Sequence, residues 1–530
     1  MYSALKIAAL GIMAVVCLGA KEPACTSFAA NPASADMLTV FSFDDYSIPY
    51  RRNLFLSMHL PIEYEGNPVV RHGMQGSPDE CGAQFWGSMC REAGKFRMWY
   101  LASDRRAEDN LAHNLGYLDW HVCYAESDDG LKWAKPDLQL VDFHGNRNNN
   151  IVRLAPHPPG VGNVMVLYEP DDPIPAKRFK MMLLVWAHAD SGAPKPVINN
   201  ILPFYSSDGL TWRQAIPARI DQEGKIDEEA AQLGNENFEM GGLNRFQGTY
   251  YVTGQQLSPY AWLPDGSECG RVMSIFRSYD FLHWSDTKTQ GFVRWGYHST
   301  PPNGGEEVHM PAATWNRGNV LLGLYGQFHG SPHAKDHPID LGLLLSNDGV
   351  HFREPSPDYV FLARAQDRSW EAGGLGQGQG FVNVGDKTFV YFCGIDGDIT
   401  SPYGGAGIGV ATLRRDGFGS ISPKRSDEPA SFVTCALEAR AKVQVCLNAD
   451  GLSPEARLKV ELLDETEHQV PEYSDTNAAV VVQSGIHVAA RWKTGYTIVP
   501  PAGRFRLRIS FDGARREQTR FYALYLSGGG

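Results

Sequence analysis

Helical periodicity is almost missing from this chain. In 530 residues only Asp227 to Leu233 carries a short helical pattern, which leaves strands to build the fold. Basic runs are missing too. Lys and Arg number 48 against 60 Asp and Glu, a net charge of −12, which argues against nucleic acid and anionic membrane as partners. No apolar run reaches the roughly 20 residues that span a bilayer. The N-terminal run, Ile7 to Leu18, follows Lys6 and ends in Gly19-Ala20, the pattern of a cleaved secretory signal over residues 1–20. A secreted or periplasmic protein is therefore expected, with no membrane contact beyond that segment. Ala14-Val15-Val16 before Cys17 is a poor lipidation signal. Zinc-type Cys/His spacing is absent as well. Beyond the signal eight cysteines remain, an even number that permits disulfides, and Cys435 with Cys446 is the expected pair.

What is present is a repeat. Ser127-Asp128-Asp129-Gly130-Leu131-Lys132-Trp133 recurs as Ser206-Ser207-Asp208-Gly209-Leu210-Thr211-Trp212. It returns without the glycine as Ser278-Tyr279-Asp280-Phe281-Leu282-His283-Trp284, and again as Ser346-Asn347-Asp348-Gly349-Val350-His351-Phe352. Arg415-Asp416-Gly417-Phe418 is a worn fifth. The marking aspartates are 79, 72, 68 and 68 residues apart. Asp-Gly after a strand makes a turn, because Asp caps backbone N–H groups and Gly takes positive φ. A period of this size with strands between the turns predicts an all-β fold, a five-bladed β-propeller over residues 37–419. Residues 37 to 66 are expected to lead into the first blade. Each mark is expected to join the outer strands of one blade, and the second strands should begin near Lys95, Phe179, Thr249, Val320 and Thr388. After Gly419 the marks stop. Short alternating strands over 428–526 predict a C-terminal β-sandwich with no catalytic cluster, an accessory unit that packs or contacts glycan.

A propeller's innermost strands line a central funnel, so acids near them are the first place to look for chemistry. Blade one offers Asp79 and Glu80; blade two Glu169, Asp171 and Asp172; blade three Glu236 and Glu239. Blade four offers Glu306, Glu307 and His309, and blade five Asp367 and Glu371. Carboxyl groups in one cleft push each other's pKa values apart, so that one stays protonated as an acid while another is ionised. Glycoside hydrolysis needs such a pair, with aromatic platforms for the sugar. Trp86, Trp120, Phe238, Trp315 and Trp370 are available as platforms. Caps on loop ends are the ordinary use of such acids and account for about half of them.

The Ser-x-Asp-x-x-x-Trp frame and the acid-bearing inner strands resemble the five-bladed glycoside hydrolases of the arabinanase and β-fructosidase superfamily. The whole chain also resembles exported glycosidase-like proteins of polysaccharide-degrading bacteria, and Asn148-Asn149-Asn150-Ile151-Val152 is typical of them. The resemblance implies a base or nucleophile from blade one, an orienting Asp from blade two and a proton donor from blade three. Phe238-Glu239-Met240-Gly241-Gly242-Leu243 is similar to the donor motif and points to Glu239. Asp171-Asp172-Pro173 loosely matches the second motif, with Glu169-Pro170 as rival. The first-blade acid falls at Asp79 or Glu80, without the fructosidase signature, which argues against a fructosidase. Trp86, Glu169, Glu236, Phe238, Glu307, His309, Trp370 and Glu371 are then the expected substrate contacts. The expected function is an exported glycoside hydrolase acting on a plant or algal polysaccharide or its oligosaccharides. A non-catalytic carbohydrate-binding protein on the same scaffold is the alternative. A sialidase would need arginines where this chain has acids, and a phosphorylase would need basic phosphate contacts such as Arg71, His72 or Arg245. No cofactor is required and no metal ligand is assigned. The pattern leaves room for a structural calcium or sodium ion in the central channel, near His309 or His329.

Overall fold

The computed structural model describes residues 38–104, 120–158, 161–187, 198–215, 238–257, 270–294, 306–329, 338–365, 370–395, 405–439, 441–501 and 503–528. The signal segment, Asp227 to Leu233, Glu236 and Asp367 lie outside them. Among the described residues the regular elements are strands and a few single 3-10 turns. The protein is all-β.

Five antiparallel meanders follow one another. The first runs Gly82–Glu92, Lys95–Ser103 and Trp120–Ser127. The second runs Val161–Tyr168, Phe179–Ala187, Ile198–Ser206 and Thr211–Gln214. The third runs Glu239–Phe246, Thr249–Leu257, Arg271–Ser278 and Ser285–Asp286. The fourth runs Glu307–Asn316, Leu321–Phe328, Ile339–Ser346 and Val360–Leu362. The fifth runs Gly374–Val384, Lys387–Ile395 and Gly405–Arg414, and its outer edge is completed by Ile62–Glu63 and Val70–Arg71. The first strand of each meander packs on the first strand of the next, and that of the fifth returns to the first. There Gln379 pairs with Ser88 in parallel. All five first strands break register a few residues from their start. Such bulges bend a strand and free backbone groups for other partners.

The marks fold as capped turns. Asp129 Oδ1 accepts from the Leu131 and Lys132 N–H groups, both at 2.8 Å, and Ser127 Oγ accepts from Gly130 N at 2.9 Å. The Trp133 indole donates back to Gly130 O at 3.1 Å. The second mark repeats every one of these bonds. In the third, Phe281 stands in the glycine position at φ 70°, and the Asp280 caps and the Trp284 bond survive. The frame recurs because it satisfies its own backbone while reversing the chain after the third strand of a sheet.

Residues 38–58 do not lead into the first meander. Leu38–Phe41 pairs with Arg520–Gly528, Tyr50–Arg52 with Ala430–Val433, and Leu54–Met58 with Gly419–Pro423. The N-terminal strands thus complete two C-terminal sheets, of seven and six strands, which share one apolar core around Leu447, Leu462, Phe505 and Leu524. Cys435 lies in the link between Ala430–Val433 and Leu437–Glu438 and Cys446 in the strand Val443–Asp450; the two are not joined, and Cys446 faces the meanders with Phe418 and Tyr525.

The worn fifth mark serves this junction. Asp416 is fully buried and accepts from Arg317 Nη2 at 3.1 Å, Asn383 Nδ2 at 3.1 Å and Tyr525 OH at 2.8 Å. One carboxylate therefore ties the fourth meander, the fifth and the C-terminal sheets together. Asp416→Ala leaves a buried guanidinium without its carboxylate and is expected to cost about 3–5 kcal/mol. Asp208→Ala loses only turn caps and is expected to cost about 1–2 kcal/mol. Urea midpoints of the two variants check this, and equal losses would contradict the latch.

Candidate active site

The first strands of the meanders all start at one end of the ring, and amide side chains stitch those leading ends together. Asn163 of the second donates to Met240 O of the third. Gln255 Oε1 of the third accepts from Met310 N of the fourth at 2.7 Å. Gln377 Nε2 of the fifth donates to His309 O at 2.8 Å and Met310 O at 2.6 Å. Trp86 of the first lies against the His309 ring, centroids 5.3 Å apart, and its indole donates to Gln84 Oε1 at 2.8 Å. The approach is so close that a Cβ on Gly241 would sit 2.1 Å from Met310 O.

Glu239 opens the first strand of the third meander inside this lattice. Its Oε2 accepts from Gln255 Nε2 at 2.6 Å. The Met310 backbone N–H can only donate, so Gln255 Oε1 must accept and Nε2 must face Glu239. The orientation of the amide is thereby fixed. Glu239 Oε2 is held as an acceptor, and a proton on this half-buried carboxyl belongs on Oε1.

His309 is 7% exposed and its Nδ1 has no hydrogen-bond partner among the described residues. Burial, with Arg271 adding to it, pushes its pKa down to about 3, so the ring is neutral across the physiological range. Glu307 begins the first strand of the fourth meander beside Arg271, Oε2 to Nε 3.7 Å. Glu306 belongs to a separate charge network. His329 Nδ1 meets Glu306 Oε2 at 2.8 Å and its Nε2 meets Asp340 at 3.1 Å. The fully buried Arg294 joins Glu306, Glu354 and Asp358. The hydrogen bonds to Asp340 and Glu306 raise His329 to about 9. Glu371 is buried and hydrogen-bonded to Glu63, and burial raises the Glu63 carboxyl against its bonds to Asn67 and Glu371. Trp370 stacks on Phe392 at 5.7 Å.

The remaining candidates are engaged in turns, hairpins or the core. Asp79 is 1% exposed and taken up by Lys135, by Tyr100 OH at 2.8 Å and by Ser77 Oγ at 3.1 Å. Glu80 Oε2 accepts from Gly76 N at 2.7 Å and closes a turn. Glu169 and Asp172 sit in the hairpin after Tyr168, at the trailing end of the second meander's first strand. Lys180 Nζ bridges them at 2.7 and 2.5 Å, and Arg245 and Tyr250 OH also hold Glu169. Six residues of strand separate Glu169 from Asn163, about 20 Å. Phe179 begins the second strand, as expected, so the acids ahead of it follow the inner strand and do not open it; that inner strand, Val161–Tyr168, carries no acid. Phe238 is 3% exposed, edge-on to Phe276 at 4.9 Å, and fills core. Glu236 lies outside the described residues. Glu239, Glu307, His309 and Trp86 are thus the candidates that lie within the inner strands near their leading ends. Among the described residues no three His, Cys, Asp or Glu side chains converge to hold an ion.

Sequence reasoning missed Gln255, Gln377, Asn163 and Glu63. The alternation Gly374-Leu375-Gly376-Gln377-Gly378-Gln379-Gly380 was the available signal, since polar amides between glycines inside a strand imply a close neighbour.

No family model matches the chain, and no curated protein matches it. Among solved structures it is similar to one described by the statement that the GH130 family of mannoside phosphorylases contains glycoside hydrolases that target beta-1,2 mannosidic linkages in Candida mannan. That match has 15% identity and a TM-score of 0.41 over 67% of this chain and 94% of the other. A glycosyl hydrolase from Bacteroides ovatus matches at 16% identity and TM-score 0.42, over 67% and 94%. A beta-1,2-mannobiose phosphorylase from Listeria innocua matches at 14% and 0.39, over 68% and 97%. Likeness this loose carries no argument about chemistry.

The His329 network makes stability depend on pH. A histidine raised from 6.5 to about 9 contributes fully below pH 6.5, and that contribution is lost as pH rises through about 9. His329→Gln should remove this alkaline loss, on the order of 2–3 kcal/mol. Thermal melts at pH 6 and pH 10 check it. An equal alkaline loss in wild type and variant would contradict the assignment.

Proposed function

We propose that the five meanders form a five-bladed β-propeller, that the two C-terminal sheets form a β-sandwich, and that the chain is an exported glycoside hydrolase. The observation that carries the reading is Glu239, a reachable carboxyl at the start of an inner strand, oriented by an amide that cannot turn. Glu239 Oε1 gives its proton to the glycosidic oxygen as the bond from that oxygen to the anomeric carbon breaks. Water adds to the anomeric carbon and loses a proton to a second carboxylate. Glu307, first residue of the neighbouring inner strand, takes that role, in place of Asp79 and Glu80, whose carboxylates are taken up by Lys135 and Tyr100 and by the Gly76 N–H. Trp86 and neutral His309 flank the sugar, and the substrate is a plant or algal polysaccharide or its oligosaccharides.

Reducing-sugar release over a polysaccharide panel, with and without inorganic phosphate, tests this. Wild type should release sugar without phosphate, and Glu239→Gln should release at least about 100-fold less. Release unaffected by the substitution removes Glu239 from the chemistry. Turnover only with phosphate makes the chain a phosphorylase. Retention on glycan with no turnover makes it a binding protein.

Orientation by Gln255 gives a second prediction. Gln255→Leu should lower kcat about 10-fold or more and shift the pH profile, because Glu239 then loses its fixed acceptor oxygen. An unchanged pH profile would contradict the role of the amide.

A further inference from the structure

Where the N-terminal turn, the hairpin of the fourth mark and the six-stranded C-terminal sheet meet, they enclose a cleft of about 530 Å³. Ser346, which opens that mark, pairs with Leu321, and Leu321 with Asn316 at the trailing end of an inner strand. The cleft therefore lies at the opposite end of the meanders from Glu239. A volume of this order is that of a small-ligand site.

Its walls carry an arginine shared by two aspartates, with hydrogen-bonding capacity left over. Arg353 Nε donates to Asp45 Oδ1 and Nη2 to Asp44 Oδ1, both at 2.8 Å. Asp44 is fully buried and is itself fixed by Ser47 Oγ at 2.5 Å and Asn347 Nδ2 at 2.9 Å. Arg353 Nη1 and Asp45 Oδ2 make no hydrogen bond among the described residues. A donor and an acceptor thus lie side by side, on a fork anchored at the buried Asp44. Tyr46 and Tyr50, in the same wall, are 41% and 51% exposed. Tyr50 is anchored through its backbone, on an edge strand paired with Ala430–Val433. Arg506 closes the cleft and is held by Glu465 O at 3.1 Å and Thr434 O at 3.2 Å.

We infer that this cleft is a second carbohydrate site, binding a short run of neutral sugar units at a distance from Glu239. Neighbouring hydroxyls of one sugar ring can accept from Arg353 Nη1 and donate to Asp45 Oδ2. The tyrosine rings cover the apolar C–H face of the next unit. With Arg506, which also lines the cleft, Arg353, Asp44 and Asp45 sum to zero charge, which fits a neutral ligand better than an acidic one. The ligand class is argued from the cleft alone, so the inference stands or falls apart from the role of Glu239.

Affinity electrophoresis of the full chain tests it, in native gels containing yeast mannan, arabinan or xyloglucan. Glu239→Gln is the parent, so that glycan in the gel persists. At least one glycan should retard the parent. Adding Tyr46→Ala and Tyr50→Ala should weaken that retardation at least tenfold, and Asp45→Ala, which leaves the Asp44 bond to Arg353, should weaken it too. In chains with Glu239 intact, turnover of a disaccharide should be unchanged by the tyrosine changes. Retardation unaltered by the substitutions, or none of the parent on any glycan, would overturn the inference. Loss of disaccharide turnover in the tyrosine variant would overturn the separation of the two sites.

Discussion

The amide clasp across the ring is the constraint on which the rest of the structure depends. Gln379, in the fifth meander, donates to Leu243 O and accepts from Leu243 N, both at 2.7 Å, and so reaches the third meander across the axis. Five bulged inner strands converge too closely for ordinary ladders to satisfy all their backbone groups, and an orphaned buried group costs about 1–3 kcal/mol. Glutamine and asparagine solve this with one donor and one acceptor on a short arm. Glycine makes room for the arm, since a Cβ on Gly378 would lie 2.5 Å from Phe85 O. Gln255 belongs to the same lattice, so the device that closes the ring also orients Glu239.

Ring closure also explains the connection of the chain's two ends. The outer edge of the fifth meander is filled by Ile62–Glu63 and Val70–Arg71, which precede the first meander. The strands before them pair with the C-terminal sheets. Those sheets are therefore locked to the meanders twice, through this N-terminal segment and through Asp416. The cleft around Arg353 depends on that locking, since its walls come from the N-terminal segment, the fourth meander and the C-terminal sheets.

Local chemistry was legible in the sequence, and long-range pairing was not. The marks at Asp129, Asp208, Asp280 and Asp348 were readable as turns because each satisfies its backbone within seven residues, and the second strands follow from their spacing. Leu38–Phe41 pairs with a strand near residue 524, which no local pattern encodes. In the candidate site, Glu239 was legible as an acid at the start of a strand. Asp79 carried the same signal, but its partner Lys135 comes from a distant turn. Glu169 and Asp172 were misplaced because the true inner strand, Val161–Tyr168, is apolar and has no acid to mark it. Gln255 escaped notice because an uncharged amide shows its function only when both of its partners are in view.

A structure of Glu239→Gln with a bound oligosaccharide tests the central claim most directly. The account predicts a sugar at the leading ends of the inner strands, with its glycosidic oxygen within hydrogen-bond reach of residue 239 and a ring beside Trp86 and His309. Sugar bound at the trailing end, against Lys180 and Glu169, with the leading ends unoccupied, would contradict it.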